Sequence, residues 1–160
     1  MSDGLTTYLE DHLAGAMHAI ELLKAMRDNH KSDPLGQFAS QMLAEIEADR
    51  DVLADLTKRV GGSPGGPKEW GSWLAEKVSR LKLKHGSDDL GTFEALEFLV
   101  VGIHGKLSLW RALPVAAGCD TRLQGMDFDR LARRAIDQHA KVEERRLAAV
   151  PSALCVVRKS

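Results

Sequence analysis

Apolar residues recur every three or four positions over four long stretches of this chain, the spacing of one face of an α-helix. The first stretch carries Leu9, Leu13, Ala16, Ile20 and Leu23. Thr7 and Glu10 form a capping box that predicts its start. The second follows at once, because Asp33 suits an N-cap and Pro34 the first helical position. Its seam runs Ala39, Met42, Ile46, Asp49, Leu53, Leu56 and Val60, and Gly61-Gly62 ends it. The third, Thr92 to Leu113, has Phe93, Leu96, Val100, Ile103, Leu107 and Trp110, with Pro114 predicted to stop it. The fourth opens at Asp127 and continues to Pro151 through Phe128, Leu131, Ala135, Gln138, Val142 and Ala149. No segment has the alternation of a strand.

A short link joins the first two helices, which predicts an antiparallel hairpin. The second and third are separated by a far longer connection, beginning GGSPGGP and carrying an amphipathic piece from Trp70 to about Leu83. Its apolar face has Trp70, Trp73, Leu74, Val78 and Leu81. Antiparallel neighbours need only a few residues between them. A crossover running the length of a bundle uses this many and leaves helices two and three parallel. The predicted fold is therefore one all-α domain over residues 1–160, a four-helix bundle with a short amphipathic helix in its crossover.

Composition changes this picture little. The 160 residues are 44% hydrophobic and 28% charged, and only 5% aromatic, in keeping with a soluble helical domain. A formal net charge of −1 gives no global field for nucleic acid or anionic lipid. Arg130, Arg133 and Arg134 are interleaved with Asp127, Asp129 and Asp137, which reads as a solvated face. No stretch is a secretion signal or a membrane span, so a cytoplasmic location is expected. Cys119 and Cys155 flank the fourth helix, about 35 Å apart at 1.5 Å per residue, too far to pair.

The stretches LEDHLAGAMHAIELL, EIEADRDVLADLTKRVGG, LEFLVVGIHGKLSLWRAL and QHAKVEERRLAAV, taken in this order along the chain, resemble the ferritin-like superfamily, the group containing rubrerythrin and bacterioferritin. More narrowly, the chain resembles small bacterial members of that group. The resemblance implies a ferritin-like bundle and, in the superfamily at large, a di-iron centre. That centre takes a Glu from each of two helices and a Glu-x-x-His from each of the other two. Aligned position by position, these ligands fall on Ala16, on Ile46 and Asp49, near Ile103, and on Glu143 and Arg146 or Ala135 and Gln138. A neighbouring register in the second helix gives Glu47 and Arg50. Apolar side chains and an arginine cannot hold iron. The resemblance thus implies the fold with the di-iron ligands lost, no cofactor and no enzymatic activity.

Two readings remain for the polar residues. Asp49 interrupts a buried seam, and a buried carboxylate needs a partner. Gln138 is the one polar residue in the middle of the fourth seam, and Arg145 follows two turns on; Gln138, Arg145, His104 or His12 could satisfy Asp49, and Asp49, Gln138 and Arg145 are the buried polar network expected. Such a pin can fix helix order. The alternative is a non-standard Fe, Mn or Zn site drawn from Asp49, Glu97, His104, His139 and Glu143, an acceptable ligand set for these metals. It would suit iron handling or oxidative stress. Glu97 with Arg111, and Glu143 with Arg146, would pair on the surface instead. Gly102 and Gly105 weaken the third helix by about 1 kcal/mol each, which suggests close approach of another helix or a second subunit. The expected function is a metal-free scaffold or binding protein acting through an interface, with a homodimer as partner state. A small apolar ligand in the bundle core is a further possibility that fold analogy allows.

Overall fold

The computed structural model of the chain describes residues 3–63 and 88–156. The crossover piece from Trp70 to Leu83 lies outside the described residues. Four long helices are described: α1 (Gly4–Asn29), α2 (Pro34–Arg59), α3 (Asp89–Ala116) and α4 (Phe128–Leu154). A single 3₁₀ turn, Thr121–Leu123, sits in the link between α3 and α4. There is no strand among the described residues.

The predicted seams are the core. All seven positions of the α2 seam are buried, Asp49 included. In α1, Leu9, Leu13, Ile20 and Leu23 are buried, whereas Ala16 is only half-buried. In α3, Leu99 goes fully inside and Val100 does not. Side chains from all four helices join in one apolar cluster.

Helix ends differ from the sequence expectation where a better partner is available. Helix α1 begins at Gly4, with Asp3 Oδ1 accepting from Thr6 N–H at 2.7 Å, and not at Thr7. Glu10 reaches α2's exit, where its Oε1 accepts from Ser63 N–H at 2.9 Å. Pro114 and Pro151 lie inside the last turns of α3 and α4. Each removes one backbone donor, and the turns still close through Ala117 N–H to Leu113 O and Cys155 N–H to Pro151 O. In the first turn of α2, a Cβ on Gly36 would overlap the His30 carbonyl oxygen, so only glycine fits there.

Cross-helix contacts fix the directions. Helix α1 starts where α2 ends, through Thr6 and Val60, so the two are antiparallel. Helix α4 runs against α3, with Glu97 near Arg146 and Trp110 stacked on Phe128. It also runs against α2, with Glu45 on Lys141, Asp49 on Gln138 and Arg59 on the Gln124 carbonyl. Both α2 and α3 oppose α4, so they are parallel to each other, as the long connection predicted.

Arg122 ties one end together. It bonds Asp120 through Nε and Nη2, Asp3 Oδ2 through Nη2 at 2.8 Å, and the Val60 carbonyl through Nη1 at 3.0 Å. The cap to the Thr6 N–H, with Arg122 behind it, draws the Asp3 carboxyl down from 3.8 to about 2. A depressed carboxylate adds stability above its unfolded value and loses it as pH falls through its folded one. Because Asn caps helices as well as Asp, Asp3→Asn removes the charge while keeping the cap. The wild type is therefore expected to melt higher than Asp3→Asn at pH 5, with the two midpoints converging towards pH 2. Parallel pH profiles would show that the ionised form is not what holds this end.

Candidate functional site

At mid-length, three helices deliver polar side chains to one buried point. Asp49 comes from the α2 seam and is 2% exposed, and Gln138 comes from the α4 seam and is fully buried. Lys106 Nζ donates to Asp49 Oδ2 at 2.6 Å and also to Gln138 Oε1. Gln138 Nε2 donates to the same Asp49 Oδ2 at 2.9 Å, which closes a three-membered ring of contacts. Arg134 Nη2 lies 3.2 Å from Asp49 Oδ1, an ion-pair distance without hydrogen-bond alignment, so Oδ1 accepts no hydrogen bond. Burial pulls the Lys106 ammonium below the usual lysine range, against the opposing pull of Asp49.

The expected partnership of Asp49 and Gln138 is present, but the third member differs. Arg145 lies elsewhere, its guanidinium 5.1 Å above the Phe38 ring. Lys106 and Arg134 supply the positive charge instead. Arg134, expected on a solvated face, reaches inward and also donates to the Glu45 carbonyl. The signal for Lys106 was in the spacing: it falls three residues after Ile103 and four before Trp110, on the inward side of α3. A seam scanned for apolar residues alone passes over it.

The five alternative metal ligands do not meet at one point. Asp49 belongs to the core cluster. Glu97 and Glu143 both bond Arg146, at 3.2 Å and at 2.7 and 2.8 Å, so Arg111 is not the partner of Glu97. The Arg146 contact holds the Glu143 carboxyl below its ordinary range. His104 and His139 stand side by side, ring centroids 6.0 Å apart, with His104 exposed. Among the described residues no three His, Cys, Asp or Glu side chains form a group able to hold a metal ion. Cys119 and Cys155 are both free and exposed.

A cavity of about 460 Å³ opens between α1, α2 and α3, with Asp49 and Lys106 in its wall. The rest is mainly apolar, and Trp110 borders it. Trp110 is 1% exposed and its indole Nε1 has no hydrogen-bond partner. Gly15, Gly102 and Gly105 also border the cavity, and a Cβ on any of them would meet nothing within 4 Å. Among the described residues no other helix approaches Gly102 or Gly105 closely. These glycines instead leave space.

Comparison of the chain with protein-family models, curated proteins and solved structures finds no match. No helix among the described residues is long and apolar enough to cross a membrane.

Proposed function

We propose that this chain is a cytoplasmic, non-enzymatic, ferritin-like binding protein that carries no metal and acts as a homodimer. The observation behind this reading is the Lys106 ammonium, bonded to Asp49 and Gln138 at mid-bundle. A fixed cation at that point supplies the positive charge that a metal would bring, and it repels any divalent ion placed beside it. The parallel course of α2 and α3 supports the ferritin-like part. Free, exposed cysteines suit a reducing compartment. Nothing in the cluster pairs a nucleophile with a base, since its amine and its carboxylate neutralise each other.

For the dimer, the support is an exposed apolar stripe on α4. Ile136, Leu147 and Leu154 are 45%, 54% and 54% exposed, and their spacings of eleven and seven put them on one helical face. One preparation tests both parts. Protein purified without chelator is expected to contain far less than one Fe, Mn or Zn per chain and to scatter light as twice 17.5 kDa. Stoichiometric metal lost on replacing His104 and His139 by Ala would overturn the metal-free reading in favour of the His104, His139, Glu97, Glu143 and Asp49 set. A mass of one chain would overturn the dimer.

A further inference from the structure

We propose that His104 and His139 form an exchangeable site for a late first-row divalent cation, copper(II) above all, between α3 and α4. Helix register sets the pairing. The antiparallel packing that puts Glu97 against Arg146 puts His104 against His139, two turns further along each helix. Their ring centroids are 6.0 Å apart. With metal–nitrogen bonds of about 2 Å, two imidazoles on one ion hold their ring centres about 5–6.5 Å apart. The observed spacing therefore accepts an ion between the rings. Among the described residues neither imidazole is engaged in a hydrogen bond, so each neutral ring keeps a nitrogen lone pair to offer. His104 is exposed and His139 half-buried, which lets an ion enter from water without opening the core.

Charge and donor type select the ion. Glu143 lies one turn after His139 on the same side of α4. Arg146 first, and His139 after it, hold the Glu143 carboxyl below its ordinary range. Arg146 bonds both Glu143 and Glu97, so two carboxylates stand against one guanidinium, and the surroundings favour a cation. Imidazole nitrogen suits copper, nickel and zinc, of which copper(II) binds such donors most tightly. Magnesium and calcium take oxygen ligands and are excluded. The site lies outside the bundle interior, and it requires neither the metal-free core nor the dimer proposed above.

The test titrates copper(II) into the tag-free full chain at pH 7.5, with Cys119→Ser and Cys155→Ser removing two exposed thiols that would compete. One copper per chain is expected to bind saturably, and its electron paramagnetic resonance spectrum should show coupling to two imidazole nitrogens. His104→Ala and His139→Ala should each weaken binding by at least about tenfold, because even groups behind a ligand are worth that much. His18→Ala should leave it unchanged. Since the ion joins α3 to α4 only in the folded chain, copper at about a hundredfold excess over its Kd should raise the Tm by about 5–10 °C. Without copper, His104→Ala should melt with its parent, because the ring it removes is exposed. No saturable uptake, uptake that survives either alanine variant, or an equal response to magnesium would overturn the proposal. So would coupling to a single nitrogen, or one copper shared by two chains, which would draw the second imidazole from another copy. An ion that copurifies counts against the metal-free reading, whereas absent uptake counts against this one, so the two fail separately.

Discussion

Lys106→Met is expected to destabilise the protein by about 3 kcal/mol, the lower part of the range for removing one member of a buried ion pair. Methionine keeps most of the hydrocarbon stem, so little packing is lost and the effect isolates the charge. What remains is a carboxylate 2% exposed whose Oδ2 keeps only the Gln138 amide. Arg134 stands 3.2 Å from the other oxygen, but its side chain is 35% exposed and screened by water, so it offsets the loss only in part. Set against a usual total of about 5–15 kcal/mol, such a loss is large. Urea unfolding at pH 7 measures it. A loss below about 1 kcal/mol would mean that the Lys106 contact is not what keeps Asp49 in the core.

How much of this was legible beforehand follows from what each kind of residue reports. The seams of α1 to α4 are visible in sequence because burial repeats with the helical period, and Asp49 and Gln138 stand out as breaks in that repeat. The directions of α2 and α3 follow from the length between them. Lys106 was not legible from composition, since a long aliphatic stem with a charged tip reads as a surface residue unless its partner is known. Arg145 and Arg134 show the same ambiguity in reverse: both are charged α4 positions within reach of the core, and only packing decides that one stacks on Phe38 while the other turns to Asp49. The cavity is a property of three helices at once. Ala16 fits the α1 seam by period, yet it is half-buried because the space it borders is open. Gly102 and Gly105 signalled that something happens on α3, but the sequence could not distinguish a close neighbour from an empty space.

Replacing the whole cluster should act in the opposite direction from removing one member. Asp49→Leu, Lys106→Met and Gln138→Leu together exchange three desolvated polar groups for hydrocarbon, and Arg134 can turn out to the water that already reaches it. Buried ion pairs exchanged for apolar residues of similar volume are often neutral or stabilising, by about 1–4 kcal/mol. The triple variant is therefore expected to unfold at least as late in urea as the wild type, about 3 kcal/mol or more above Lys106→Met. If the cluster serves to fix helix order, that added stability comes with looser specification, because an all-apolar seam accepts neighbouring registers that a polar pin excludes. The amide resonances of α2, α3 and α4 near positions 49, 106 and 138 should then broaden or double in the triple variant while its helical content is unchanged. A triple variant less stable than the wild type by more than about 2 kcal/mol would instead show the three-way contact to be net stabilising. In that case Asp49, Lys106 and Gln138 would need no role beyond holding the fold.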